Sequence, residues 1–307
     1  MTPAPKLPDH LPDLPGFRYV SKFSGGAMGE AHLYHSTIPG QADLVLKVIR
    51  QQALHSGDSL VRARFLREIE TLKALDHPNV VRFFGHGEHA GAPYFTMEYC
   101  DGGDLNEYMR DRPALPLAEA RAIILPVLAA LRYLATAPVT AVDRDGGTRP
   151  EVGVVHRDLK PANILFGGTV AARLVKVSDC GLAKAFRAAG WSRITDRSQV
   201  GGTPEYMCRQ QYHDYLEAEP EVDVWSAAAV LYFLLTKSPP RDFGRGNRLT
   251  IIETQPVVPI RARRPDVPAQ VAAVVDTCLD DTDELRFKTA EEFEAEIERA
   301  FTDSGVI

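Results

Sequence analysis

Cysteine is scarce in this chain: four in 307 residues, at positions 100, 180, 208 and 278, with no C-x-x-C pair among them. Such spacing suits reduced, buried thiols and argues against a disulfide framework or a thiolate metal centre. Long apolar runs are missing as well. Pro126 and Arg132 interrupt the best candidate and 227–235 is too short, so no segment reaches the roughly 18 apolar residues that a membrane helix needs. The first residues lack a basic stretch followed by an apolar one, which leads us to expect a soluble, cytoplasmic protein. Positive charge is not in excess: 35 Lys and Arg stand against 41 Asp and Glu, a net charge of −6. With no basic stripe interleaved with aromatics, a nucleic-acid partner is not expected. No internal repeat is visible. What is present, 45% apolar and 25% charged residues, suffices for one two-lobed domain or two small ones.

Residues 1–16 are Pro-rich and poor in apolar groups, and read as a flexible arm. From 17 to 97, short apolar runs between turn signals and a single helical stripe indicate a mostly β unit. After a turn-rich connection at 98–103, the pattern over 104–301 becomes helical, as in 117–135 and 222–236, and 302–307 are left as a tail. The last helix opens on Thr289-Ala290-Glu291-Glu292, a capping-box pattern, and sets Phe293, Ile297 and Phe301 on one face. Residues 137–153, with Asp143-Arg144-Asp145-Gly146-Gly147, read as a surface hairpin insertion, either decoration or a contact for a substrate or partner.

The densest chemistry lies in His156-Arg157-Asp158-Leu159-Lys160-Pro161-Ala162-Asn163. An acid, a basic residue and an amide fall within six residues, between apolar runs at Val154-Val155 and Ile164-Leu165 that would bury themselves and hold the loop at a cleft. The segment resembles the H-R-D-L-K-x-x-N catalytic loop of eukaryotic-type (Hanks-type) serine/threonine protein kinases, and the compact domain resembles bacterial members most. The resemblance implies an α+β, protein-kinase-like bilobal fold over 17–301, with a β-rich N-lobe (17–97) carrying one main helix, a hinge (98–103) and a helical C-lobe (104–301). It implies that Asp158 accepts the proton of a substrate hydroxyl, Lys160 neutralises the moving phosphoryl group and Asn163 holds a Mg²⁺ ion. His156 is then a structural residue.

Phosphoryl transfer further needs a phosphate cradle, a cation on the nucleotide and a carboxylate for the metal. Ser24-Gly25-Gly26-Ala27-Met28-Gly29, taken alone, is a hairpin turn between strands. It is also similar to the family's G-x-G-x-x-G-x-V loop, with Ser24 for the first glycine and Ala31 for the valine. That likeness assigns Phe23, Ser24, Gly25, Gly26 and Gly29 to the phosphates, and Ala31, Val45 and Leu165 to the adenine. The run Leu44–Ile49 is a buried strand with one lysine, which either snorkels out or is paired. It resembles V-A-I-K, where the lysine, here Lys47, binds phosphates and pairs with a helix glutamate. Leu60, Phe65, Leu66, Ile69, Leu72 and Leu75 form an amphipathic helical stripe. Glu68 beside it reads as a solvated face or, in the register set by the family-like His77-Pro78-Asn79, as the partner of Lys47.

Pro93–Cys100 is an apolar strand leading to Asp101-Gly102-Gly103. By resemblance it is the hinge, with Met97 as gatekeeper and the backbones of Glu98 and Cys100 bonding adenine; a Met among aromatics is also ordinary core. Leu174-Val175-Lys176-Val177-Ser178-Asp179 reads as a strand ending in an aspartate, which is a turn residue or, at the family's D-F-G spacing, the main Mg²⁺ ligand. Cys180 stands where the family has a phenylalanine that packs with the residues matching Leu72, Phe83 and His156.

Gly202-Thr203-Pro204-Glu205-Tyr206-Met207 resembles G-T-P-x-Y-M, which implies that Thr203 contacts Asp158 and that the acceptor is Ser or Thr. Upstream, Thr195 and Ser198 lie among Arg187, Arg193 and Arg197. This is either a polar loop without a switch or a pair of phosphosites whose charge Arg157 would bind. The family's A-P-E is Cys208-Arg209-Gln210 here, so the expected Gln210–Arg286 contact brings hydrogen bonds without a carboxylate unless another acid substitutes. Asp223-Val224-Trp225-Ser226 matches the motif that ties down the catalytic loop, and the Pro- and Arg-rich stretch 237–268 suggests shortened helices. The resemblance implies ATP and Mg²⁺, with Mn²⁺ able to substitute, protein substrates bearing Ser or Thr, self-association for trans-autophosphorylation, and regulation through the activation loop. The alternative, motivated by Ser24, Cys180 and Gln210, is a pseudokinase acting as a nucleotide-binding or scaffolding module.

Overall fold

The computed structural model describes residues 5–25, 29–49, 59–142, 147–168, 173–182, 203–214, 218–244 and 246–306. Five antiparallel strands form the first sheet: β1 (Phe17–Gly25), β2 (Gly29–Ser36), β3 (Leu44–Ile49), β4 (Phe83–His89) and β5 (Ala92–Glu98), in the order β1-β2-β3-β5-β4. β3 is central, which explains why it is apolar apart from Lys47: both faces are covered. Val45 and Ile49 face a core shared with Phe65 and Ile69 of helix α1 (Ser59–Thr71) and continuous with that of the second lobe. Leu44, Leu46 and Val48 face the other way, into a separate cluster.

That second cluster decides the fate of the N-terminal arm. Residues 5–16 are not the loosely held segment expected from composition. Leu11 is only 2% exposed, and with Leu7 and Leu14 it packs over Tyr34, Leu44, Leu46 and Val48. Tyr34 Oη donates to the Pro12 carbonyl at 2.9 Å. Three leucines supply the cover that the outer sheet face requires, and each fully buried one contributes about 1.5–3 kcal/mol.

The second lobe begins at α2 (Leu105–Met109), capped by the Asp104 side chain, and continues through α3 (Leu117–Thr136). Later helices are α4 (Arg209–His213), α5 (Glu221–Thr236), α6 (Arg248–Thr254), α7 (Ile260–Arg263), α8 (Ala269–Leu279) and α9 (Ala290–Asp303). α5 is buried nearly all round between α3 and α8, so its sequence is a solid apolar run and not a stripe. The helices of the 237–268 stretch are short, as its prolines dictate. At α9, Thr289 accepts from the Glu292 amide at 3.2 Å, while the Glu292 carboxylate accepts from the Lys288 amide at 2.8 Å. The capping box is thus shifted by one residue on its return arm.

The 137–153 insertion is a hairpin of β6 (Pro138–Val142) and β7 (Thr148–Val152), and β6 runs against α1. β8 (Ile164–Gly167) and β9 (Leu174–Val177) form a third small sheet that follows the catalytic-type loop. Val81 and Val177 stitch it to the first lobe: the Val81 amide donates to the Val177 carbonyl at 2.9 Å, and the Val177 amide to the Asn79 carbonyl at 2.8 Å.

Candidate active site

Asp223, at the start of the buried helix α5, organises the loop at 156–163. It is 4% exposed, and its carboxylate accepts from the backbone amides of His156 at 2.6 Å and Arg157 at 2.8 Å. Burial pushes its carboxyl above the usual range, against the pull of His156 and of the two amides. The bonds also hold Arg157 at a φ of +63°, a left-handed conformation that a side chain adopts at a cost of about 1–2 kcal/mol. His156 is fully buried; its Nδ1 accepts from the Asp158 amide at 3.2 Å, which leaves Nε2–H to donate to the Ser178 carbonyl at 2.9 Å. A histidine committed at both nitrogens is a brace, as the sequence suggested.

Three side chains of the loop meet at its outer end. Asp158 Oδ2 accepts from Lys160 Nζ at 2.7 Å and from Asn163 Nδ2 at 3.3 Å, and the same Nδ2 donates to the Asp158 carbonyl at 2.8 Å. The Ser178 amide donates to the Asn163 carbonyl at 2.8 Å, which sets the end of β9 beside the loop. The next residue, Asp179, has a φ of +62°. Gly181 follows at +70°, where a Cβ would come within 2.9 Å of Leu72 and 3.0 Å of Val154.

Above the loop, a cleft of about 480 Å³ separates the lobes. Ala31, Val45, Lys47, Met97, Glu98, Cys100, Leu165 and Asp179 all line it, as the resemblance implied. Ser21, Leu33, Tyr99, Asp104 and Glu107 line it too and were not singled out. Ser21 and Leu33 share the cleft face of β1 and β2 with Ala31, so strand alternation from Ala31 carried the signal for Leu33. Gly29 opens β2 where a Cβ would lie 2.0 Å from the Val48 carbonyl, so only glycine fits. Of the remaining loop residues, Phe23, Ser24 and Gly25 are described only as the backbone of β1, and Gly26 lies outside the described residues. Thr195 and Ser198 also lie outside them.

Lys47 does not make the expected pair with Glu68. Its ammonium sits 2.5 and 2.7 Å from the two oxygens of Asp179, and a single cation chelated by a whole carboxylate is already satisfied. Glu68 is buried on α1, 5% exposed, with interactions of its own. Burial would raise the Asp179 carboxyl; the bonded Lys47, aided by His156 and Lys160, outweighs it and holds the group below the usual value. Thr203 is likewise not hydrogen-bonded to Asp158, whose Oδ2 accepts from Lys160 and Asn163. Glu98, expected to act through its backbone, also bonds the buried Lys176 on β9 at 3.0 Å, a strut from the hinge to the β8–β9 sheet.

The expected Gln210–Arg286 contact is absent too. Gln210 Nε2 donates to the Asp281 and Asp283 carbonyls, and Arg286 stacks on Phe287. A buried ion pair nonetheless exists here: Arg241 and Asp281, 1% and 2% exposed, with Arg209 Nη1 at 3.3 Å from the same carboxylate. The acid has moved from position 210 to 281 and the cation to 241. Arg157, the expected phosphate receiver, donates to the Ala218 carbonyl at 3.1 Å. Cys180 is 1% exposed in the core cluster that holds Leu72 and Phe83, and burial raises its thiol well above the usual value.

The protein kinase domain model matches residues 22–296 of this chain. Serine/threonine-protein kinase PknB of Mycobacterium leprae is 32% identical over 310 residues, covering 97% of this chain and 44% of that protein. PrkC of Bacillus subtilis is 28% identical over 286 residues, 93% of this chain and 40% of PrkC. The chain therefore spans less than half the length of these relatives. Among solved structures, a doubly substituted PknI kinase domain of Mycobacterium tuberculosis superposes with a TM-score of 0.69 at 23% identity, over 96% of this chain and 99% of that one. Rad53 in complex with AMP-PNP gives 0.67 at 22% identity, over 92% and 65%. At such identities the structural matches establish the bilobal fold and nothing finer.

Proposed function

The chain belongs to the protein kinase family, and we propose that it is an active serine/threonine kinase that moves the γ-phosphoryl group of ATP to Ser or Thr hydroxyls of proteins. The observation that carries this is the meeting of Asp158, Lys160 and Asn163 below a cleft whose roof bears Lys47 and whose back bears Asp179. Asp158 would orient the acceptor hydroxyl and take its proton, a role worth about 10²–10⁴-fold in rate. Lys160, at bonding distance from Asp158, would follow the charge that moves to the transferred group. Ala31, Val45, Met97 and Leu165 offer an apolar slot for a planar base, and Lys47 a cation for the phosphates.

The Asp179 carboxylate and the Asn163 amide oxygen are hard donors that suit Mg²⁺ or Mn²⁺, and Asn163 has already committed its Nδ2 to Asp158. A bound ion there would screen the phosphate charge and fix the phosphates in line. Opening the Lys47–Asp179 pair then frees one partner for phosphate and the other for metal. We take the kinase domain as 17–301, working in the cytoplasm where ATP is available; among the described residues, no helix is long and apolar enough to cross a membrane. Autophosphorylation in trans at Thr195 or Ser198, with Arg157 receiving the charge and Thr203 closing on Asp158, is the regulation we propose. Nothing favours the binding-only alternative, since every charged group of the reaction is present. Phosphoamino-acid analysis after incubation with Mg²⁺-ATP and a generic basic protein tests the acceptor: phosphoserine and phosphothreonine are expected, and phosphotyrosine alone would overturn it. Mapping the autophosphorylated peptides tests the two loop sites.

A further inference from the structure

On the outer face of the first sheet, away from the cleft, three side chains converge that play no part in phosphoryl transfer: His10 from the N-terminal arm, and Glu30 and His32 from β2. Alternation along β2 puts Glu30 and His32 on one face and Ala31, which lines the cleft, on the other. One ligand atom of each lies within 4.8 Å of the others. Glu30 Oε2 is 3.5 Å from His10 Nε2 and 3.4 Å from His32 Nε2, while Oε1 is held by Lys22 Nζ at 2.8 Å.

His32 is the informative member. It is 1% exposed, and neither of its ring nitrogens has a hydrogen-bond partner. A buried polar group left so is costly, and native structures rarely tolerate it without a reason. Separations of 3.4 and 3.5 Å are long for hydrogen bonds. They do match the edge of a tetrahedron around zinc: bonds of about 2.0–2.1 Å set neighbouring ligand atoms about 3.3 Å apart. Two imidazoles and a carboxylate are also a donor set for a borderline ion, unlike the all-oxygen set expected for Mg²⁺.

We propose that His10, Glu30 and His32 bind one transition-metal ion of the Zn²⁺ class, which staples the N-terminal arm to β2. Water completes the fourth position, as in other sites with two histidines and one glutamate. The site depends on the docking of Leu11, since His10 is its neighbour in the chain. Lys22 works against the ion by sharing the carboxylate, but it is 45% exposed and can swing into solvent.

The test uses the whole chain, stripped with EDTA and then dialysed against Zn²⁺ in excess Mg²⁺, with bound zinc and Tm as readouts. One equivalent of zinc and a higher Tm are expected. His10→Ala, an exposed change that leaves the fold intact, should weaken binding by about tenfold or more and abolish the Tm gain. Lys22→Met should tighten binding, and Asp179→Asn should leave uptake unchanged, which separates this site from the cleft. Wild-type protein that takes up no zinc at micromolar concentration would overturn the proposal. So would His10→Ala binding as tightly as wild type, or uptake lost in Asp179→Asn.

Discussion

Lys47 and Asp179, 132 positions apart, close on each other across the cleft with both carboxylate oxygens within 2.7 Å of the ammonium. The pair joins the central strand of the first sheet to the turn that follows β9, and it couples protonation to stability. The Asp179 carboxyl lies below its ordinary value of 3.8 in the folded protein. Its stabilisation is therefore complete above that value and is lost as pH falls through the lower folded one. Unfolding free energies of wild type and Asp179→Asn, measured in denaturant from neutral pH downward, should differ most above pH 4 and converge in acid. A gap that widens in acid would contradict the pairing. The same variant should lose Mg²⁺-dependent nucleotide binding.

The displaced ion pair at Arg241 and Asp281 makes an unusual demand on position 210. Restoring the family's residue there, Gln210→Glu, removes the donor to the Asp281 and Asp283 carbonyls and sets a second carboxylate beside Asp281. We expect a loss of about 1–3 kcal/mol, seen by urea unfolding, where a sequence comparison alone would predict a gain. Arg241→Ala should cost about 3 kcal/mol or more, because it strips a buried carboxylate of its main cation.

Docking of the arm should be visible in stability. Leu11→Ala removes a side chain that is 2% exposed over the outer sheet face, and should lower the unfolding free energy by about 2–5 kcal/mol. An arm that merely trails would give a change within error.

All four cysteines are buried, and burial pushes the Cys100 and Cys208 thiols up to about 12. Native protein at pH 8 should resist alkylation, with four thiols reacting only in denaturant.

What the sequence could disclose was local. The loop at 156–163, the strand carrying Lys47 and the aspartate that follows β9 each combine a fixed residue order with a burial pattern, so they were legible; Lys47 and Asp179 line the cleft, and of the loop Ala162 does. Pairings between distant segments were not. Arg241 and Asp281 lie 40 residues apart in a stretch without periodicity, and nothing local distinguishes Asp281 from its acidic neighbours. For Lys47 the sequence pointed to Glu68 alone, and the pairing with Asp179, 132 positions away, is visible only in the structure. In the arm the prolines mask a leucine pattern, Leu7, Leu11 and Leu14, that docks on the sheet. Leu44, Leu46 and Val48, the outer face of β3, already required a cover.

The most direct measurement is transfer of the γ-phosphoryl group from Mg²⁺-ATP, by wild type and Asp158→Asn in parallel with nucleotide affinity. Turnover reduced about 10²–10⁴-fold at nearly unchanged affinity is the result expected if Asp158 is the base. No transfer by wild type that still binds Mg²⁺-ATP, or equal turnover in the variant, would contradict the assignment of this cleft to catalysis.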